Sequence, residues 1–186
     1  MIVIFGSQGS GKSTQCEILV EKHGWKWLST GQMFRDSNDP EAMAYINRGE
    51  LVPDEITNKI LVAALDAEST RDEKGGVILD GYPRKIEQAK YLVQHNTESY
   101  GQHNINLALM LDVDKDEVMK RMLLRGRDDD TPEGIEKRLS IYHAAINLIL
   151  DYFVKQNIPV ARVNGVGSIE EIYERIETEL ARQGIV

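Results

Sequence analysis

One cysteine, four histidines and two tryptophans in 186 residues exclude several kinds of chemistry at the outset. The lone Cys16 rules out an internal disulfide and a cysteine-rich zinc site. His23, His95, His103 and His143 are scattered and show none of the spacings of metal-ligating pairs. No stretch approaches the roughly 20 apolar residues that a membrane span needs. Met1 leads directly into Ile-Val-Ile-Phe, without the basic start and longer apolar run of a secretory signal, so a cytoplasmic protein is expected. Repeats, low-complexity tracts and Pro/Ser-rich linkers are also missing, and the length fits one domain over 1–186. Basic residues are outnumbered, 22 Lys plus Arg against 30 Asp plus Glu, for a formal charge of −8. Affinity for polymeric nucleic acid comes largely from neutralised phosphates, so that partner is disfavoured. A small phosphorylated ligand needs only a local basic pocket, which makes the arginines the residues to place.

What is present is an alternation of short apolar runs with longer helical patterns. Strands are expected at 2–5, about 26–29, 77–80, 107–113 and 159–163. Continuous apolar strands separated by helices read as an α/β fold with a parallel sheet covered on both faces. The clearest helix spans about 133–155, where Ile135, Leu139, Tyr142, Ile146, Ile149 and Phe153 recur at spacings of three and four. Arg138 lies at the edge of that stripe, about 60° off its centre, so its charge must reach water or an anionic partner. It is a candidate for a cleft. Residues 30–58, broken by Ser37-Asn38-Asp39-Pro40 and Gly49, and the charged run 125–133 fit the layers poorly. Both read as mobile flaps rather than core.

Gly6-Ser7-Gln8-Gly9-Ser10-Gly11-Lys12-Ser13 matches G-x-x-x-x-G-K-[ST], directly after a strand and ahead of a helix. Such a loop curls backbone N–H groups around phosphate oxygens, and the helix N-terminus adds a partial positive charge. Gly9, Ser10, Gly11, Lys12, Ser13 and Thr14 are therefore the expected ATP-binding residues. Lys12 would reach the β and γ phosphates, and Ser13 or Thr14 would order Mg²⁺ through a hydroxyl. A phosphate loop alone does not name a reaction. The guanine-reading Asn-Lys-x-Asp fails at Asn58-Lys59-Ile60-Leu61, and Leu28-Ser29-Thr30-Gly31-Gln32 stands too close to the loop to be a transporter-ATPase signature.

Beyond the loop, the chain resembles the adenylate kinases nearly end to end. Ser29-Thr30-Gly31-Gln32-Met33-Phe34-Arg35 is similar to S-T-G-D-x-x-R, and Gly49-Glu50-Leu51-Val52-Pro53-Asp54 to G-x-L-V-P. Asp80-Gly81-Tyr82-Pro83-Arg84 with Gln88 resembles D-G-[FY]-P-R-x-x-x-Q. Arg121, Arg125, Arg127, Asp129, Asp130 and Arg138 fall into the family's lid pattern. The resemblance implies a P-loop NTPase fold, five parallel strands in the order 2-3-1-4-5 flanked by helices. It also implies a monomeric nucleoside monophosphate kinase with an acceptor-binding flap at about 29–58 and a very short lid loop at about 121–133.

By the same resemblance, AMP is held by Thr30, Arg35, Val52, Gly81, Arg84, Gln88 and Arg138, with Arg35 and Arg84 on its phosphate. Arg121 would stack over the adenine of ATP, with Gly165 nearby, and Arg125 and Arg127 would clamp the transferring phosphoryl group. Lys12, Arg84, Arg125, Arg127 and Arg138 are thus the expected catalytic set. Asp80 would hold Mg²⁺ through water beside Ser13 and Thr14, and Asp129 and Asp130 would tie the lid. Guanidinium forks suit phosphate oxygens. A monophosphate with a second pKa of roughly 6 needs no general base at neutral pH. Thr30, where the UMP/CMP kinases tend to have alanine, and Gln88, where they tend to have asparagine, point to AMP.

The chain departs from the family pattern in three places. Gln8 replaces a proline, and Ser13 replaces a glycine, restoring the general P-loop consensus. The segment between Arg35 and Gly49 is shortened. Arg125 and Arg127 are separated only by Gly126, a lid too short to be a domain or to hold zinc. The expected reaction is reversible phosphoryl transfer from Mg-ATP to AMP. A CMP/UMP or broad-specificity monophosphate kinase is the alternative within the class, and a nucleotide-sensing P-loop protein with weak catalysis is the alternative outside it.

Overall fold

The computed structural model describes residues 1–37, 39–48, 50–69, 76–98, 104–126 and 130–186. In chain order the elements are β1 (Ile2–Phe5), α1 (Lys12–His23), β2 (Lys26–Ser29), α2 (Thr30–Ser37), α3 (Pro40–Asn47), α4 (Asp54–Ser69) and β3 (Val77–Asp80). They continue as α5 (Ile86–Glu98), β4 (Leu107–Asp112), α6 (Lys115–Arg125), α7 (Pro132–Lys155), β5 (Val160–Asn164) and α8 (Ile169–Arg182). The strands form one parallel sheet in the order β2-β3-β1-β4-β5, as expected.

Strand alternation divides the core into two layers. Val3 and Phe5, Leu79, and Ala108 and Met110 face one way, against Leu61 and Leu65 of α4, Leu92 of α5 and Phe153 of α7. Ile2 and Ile4, Ile78, and Leu107 and Leu109 face the other, against Leu19 of α1 and Ile172, Ile176 and Leu180 of α8. Every central strand is therefore apolar on both faces, the pattern of a parallel sheet covered by helices. The stripe read from 133–155 is buried as expected. Ile135 and Leu139 pack with α6, and Ile146, Ile149 and Phe153 pack on the sheet.

Local chemistry sets the helix starts. Asp114 and Thr131 accept hydrogen bonds from Glu117 N–H and Gly134 N–H to cap α6 and α7. Ser168 and Glu171 form a reciprocal capping box on α8. The sequence boundaries shift by a residue at β4, β5 and α7, within the usual fraying of element ends.

Residues 30–58 correct one expectation. They are not merely a polar flap, because Phe34, Ala42 and Val52 are buried together with Ile46, Ile56 and Ile60 packed on them, a small core of their own. Asp39 caps α3 with Pro40 at its first turn.

Candidate active site

All five strands run the same way, so their C-terminal ends share one edge. The loop after β1, the start of α2, residues 81–85 after β3, and α6 after β4 all emerge there. In open α/β sheets ligands bind in this crevice, where the strand order reverses. Here that edge carries a cavity of about 1050 Å³.

The floor at one end is the phosphate loop. Gly11 stands at φ 97° as the cap of α1, a left-handed conformation that a side chain would strain. Gly9, Gly11, Lys12, Ser13 and Thr14 line the cavity, while Ser10 is fully buried beneath it. Lys12 folds back, its Nζ donating to the carbonyls of Gly6 (2.6 Å) and Ser7 (2.9 Å). Desolvation pushes the Lys12 pKa down, and the nearby Asp80 carboxylate opposes that shift. Asp80 ends β3, is buried, and lines the same cavity. Ser13, Thr14 and Asp80 thus offer hard oxygen donors at one end of the site, the donor set that suits Mg²⁺.

Further lining comes from α2, residues 50–57 around the start of α4 and the loop into α5. Thr30 is buried, with its hydroxyl 3.4 Å from the Asp80 carbonyl. Arg35 lines the cavity and is braced by Gln32, whose Oε1 accepts from its Nε and Nη2 at 3.2 and 2.8 Å. Arg84 donates through Nε to the Gly81 carbonyl at 2.7 Å. Its guanidinium is packed by protein yet wetted from the cavity, so burial lowers its pKa, Asp80 offsets part of the effect, and it remains a cation. Gly81 stands at φ 82°, and a Cβ there would sit 2.6 Å from Thr30 Oγ1, so only glycine lets β3 turn into this loop. Val52 and Phe34 supply apolar wall. Gln88 is only 3% exposed but reaches the lining.

Arginines from α6 and α7 also line the cavity. Arg125 chelates Asp130, Nε to Oδ2 at 2.9 Å and Nη2 to Oδ1 at 2.8 Å. Arg138 donates Nη2 to the same Oδ1 at 2.8 Å. The Asp130 side chain is 0% exposed, and that of Arg138 is 11%. One buried carboxylate therefore holds two cavity-lining guanidinia. Arg121 is held by Glu117 Oε1 (2.7 Å) and also donates to the carbonyls of Ser10 (3.3 Å) and Gly165 (3.1 Å). Arg121 thereby ties the phosphate loop to the turn after β5.

Of the residues singled out by sequence, Gly9, Gly11, Lys12, Ser13, Thr14, Thr30, Arg35, Val52, Asp80, Gly81, Arg84, Gln88, Arg121, Arg125 and Arg138 line one cavity. Ser10 and Gly165 support its walls. Arg127 and Asp129 lie outside the described residues. Sequence reasoning missed Ile141 and Ala145 of α7, which join Tyr142, Ile146 and Ile149 of the stripe in an apolar wall of the cavity. It also gave no role to Asp54, whose Oδ1 accepts from Gln88 Nε2 at 2.8 Å and from Lys85 Nζ at 3.1 Å. No local signal announces a pair thirty-four positions apart.

A parallel sheet in this order, with a phosphate loop opening onto an arginine-lined cavity, defines a P-loop nucleotide-binding protein. Residues 4–158 match the family model described as adenylate kinase. The chain is 39% identical over 186 residues to a protein named adenylate kinase from Parabacteroides distasonis, covering 95% of each. It is 41% identical over 185 residues to one from Bacteroides thetaiotaomicron, covering 94% of this chain and 95% of the relative. It is 36% identical over 187 residues to one from Mycobacteroides abscessus, covering 97% and 99% respectively. The chain belongs to the adenylate kinase family.

Proposed function

We propose that this chain catalyses reversible Mg-dependent phosphoryl transfer from ATP to AMP, giving two ADP. The observation that carries the reading is one continuous cavity lined by the phosphate loop, by Arg35, Arg84 and Gln88, and by Arg125 and Arg138. A cavity of about 1050 Å³ accommodates two mononucleotides end to end.

Transfer between two polyanions needs charge and alignment more than acid–base help. Lys12 exchanges its two carbonyl partners for phosphate oxygens when ATP enters. The loop N–H groups and the α1 N-terminus hold the β-phosphate. Arg35 and Arg84 fix the acceptor phosphate, already nucleophilic as its dianion, facing the γ-phosphoryl group. Arg125 and Arg138 meet the charge that spreads over the transferring group. Arg127 belongs to the same clamp. Ser13, Thr14 and Asp80 would hold Mg²⁺, Asp80 through water, and the ion would neutralise β- and γ-oxygen charge.

Residues 29–58 and 121–133 act as the two closing elements of a single monomeric domain that works in the cytoplasm. Among the described residues no helix is long and apolar enough to cross a membrane. The test is initial-rate kinetics with Mg-ATP and, separately, AMP, CMP, UMP, GMP and dAMP. AMP is expected to give the highest kcat/KM by at least tenfold. Comparable values for CMP and UMP would move the assignment to a pyrimidine or broad-specificity monophosphate kinase. ATP binding without turnover of any acceptor would leave a nucleotide sensor.

A further inference from the structure

We infer that Asp54 fixes which way round the Gln88 amide stands, and thereby which bases the acceptor site admits. The inference rests on Gln88 reading the acceptor base, as proposed above. A primary amide is nearly symmetric in shape, so a 180° flip costs little in packing while exchanging its donor and acceptor edges. Partners alone decide the orientation. The Arg84 backbone N–H donates to Gln88 Oε1 at 2.7 Å, and Gln88 Nε2 donates to Asp54 Oδ1 at 2.8 Å. A peptide N–H can only donate and a carboxylate can only accept. A flipped amide would therefore set donor against donor and acceptor against acceptor around a glutamine that is only 3% exposed.

In the observed orientation Oε1 keeps one lone pair and Nε2 keeps one hydrogen for a ligand. That edge accepts from an exocyclic amine and donates to a ring nitrogen, the pattern of adenine and of cytosine. Hypoxanthine, guanine and uracil present the reverse. The Arg84 bond is local, spanning four residues across the start of α5. The Asp54 bond is not local, for Asp54 opens α4, thirty-four positions earlier. Lys85 Nζ donates to the same Asp54 Oδ1 at 3.1 Å, which keeps that oxygen an acceptor and the carboxylate in place. Asp54 is not needed to join α4 to α5. Leu61, Leu65, Ala89 and Leu92 share one core cluster, and the Tyr82 hydroxyl bonds Asn58 of α4 at 2.7 Å. Asp54 is thus a positioning residue for base selection.

The experiment measures kcat and KM for AMP and for IMP at saturating Mg-ATP, with thermal melts, in the full chain and in Asp54→Ala, Asp54→Asn and Gln88→Ala. Asp54→Ala is expected to raise the KM for AMP about tenfold with kcat within twofold, and to lower the AMP-over-IMP ratio of kcat/KM at least tenfold, about 1.4 kcal/mol of discrimination. Asp54→Asn, held by Lys85 with its oxygen toward Gln88, restores most of the ratio. Should Asp54→Ala fail to fold, Asp54→Ser keeps a helix-starting side chain, falls short of Gln88, and carries the same expectation. An unchanged ratio in the Ala or Ser variant, with only a lower melting temperature, overturns the inference and leaves Asp54 a structural residue. If Gln88→Ala collapses the ratio while Asp54→Ala does not, only the orientation argument falls. If Gln88→Ala also leaves the ratio unchanged, the base-reading role falls with it.

Discussion

Replacing Asp130 with alanine should cost both stability and rate, and the structure sets the scale of each. The carboxylate is fully buried and takes two hydrogen bonds from Arg125 and one from Arg138. Charged hydrogen bonds contribute about 1.5–3 kcal/mol each, and breaking one partner out of a buried ionic network costs about 3–5 kcal/mol. Arg125 is partly exposed and rehydrates when released, whereas Arg138 does so less easily. A net loss of about 3 kcal/mol follows, equivalent to roughly 6–12 °C in melting temperature for a chain of this size. The two guanidinia then lose their fixed aim into the cavity, and misplacement by an ångström can cost about 100-fold in rate. Asp130→Ala is therefore expected to lower kcat about 100-fold while the KM for ATP stays within threefold. Asp130→Asn, of equal size but with an N–H₂ facing a guanidinium, should fall between. Steady-state kinetics and calorimetric melts read both effects. A variant that melts like the parent and turns over within twofold of it would refute the reasoning. One that melts lower but keeps its kcat would show that the carboxylate holds the fold and not the arginines.

Cys16 is fully buried and its thiol is pushed to higher pKa by desolvation, so iodoacetamide should leave it unmodified in the native chain and alkylate it in denaturant; mass spectrometry checks both. Burial also raises the pKa of the Tyr82 and Tyr142 hydroxyls. Their neutral forms then favour the folded state, a contribution fully present below the ordinary phenol value of about 10 and lost as pH climbs toward the raised folded values; urea melts between pH 8 and 11 should show stability falling only above about 10. Phe153, fully buried and set edge-on to Phe5, should cost about 3–5 kcal/mol when cut to alanine, with little change in the KM for ATP if the variant is assayed well below its melting point. Because α6 and α7 are joined by residues 126–131 alone, binding a bisubstrate analogue should move a loop; a large rigid-body lid rotation in a crystal of that complex would contradict this.

The sequence was most legible where periodicity and motif agreed. Apolar runs marked the three central strands because a parallel sheet is buried there on both faces, and the three-and-four spacing over 133–155 located the burial of α7. Arg138, read as a charge at the edge of that stripe, proves to be tied to Asp130 together with Arg125. The strand order came from family resemblance, since strand periodicity carries no information about neighbours. Residues 30–58 were read as without core because their small cluster is made of single apolar residues far apart in sequence, Phe34, Ala42 and Val52, gathered only in the folded chain. Asp54 was silent for the same reason, since the position of its partner Gln88 depends on tertiary packing.

The central claim is direct transfer between two bound nucleotides. The most direct test follows ATP labelled in its γ-phosphate, incubated with Mg²⁺ and AMP, in the parent chain and in Lys12→Ala. Label appearing in the β-phosphate of ADP formed from AMP, at a rate lowered at least 100-fold in Lys12→Ala, is the predicted result. Label released only as inorganic phosphate, or transfer that persists unchanged in Lys12→Ala, would contradict it.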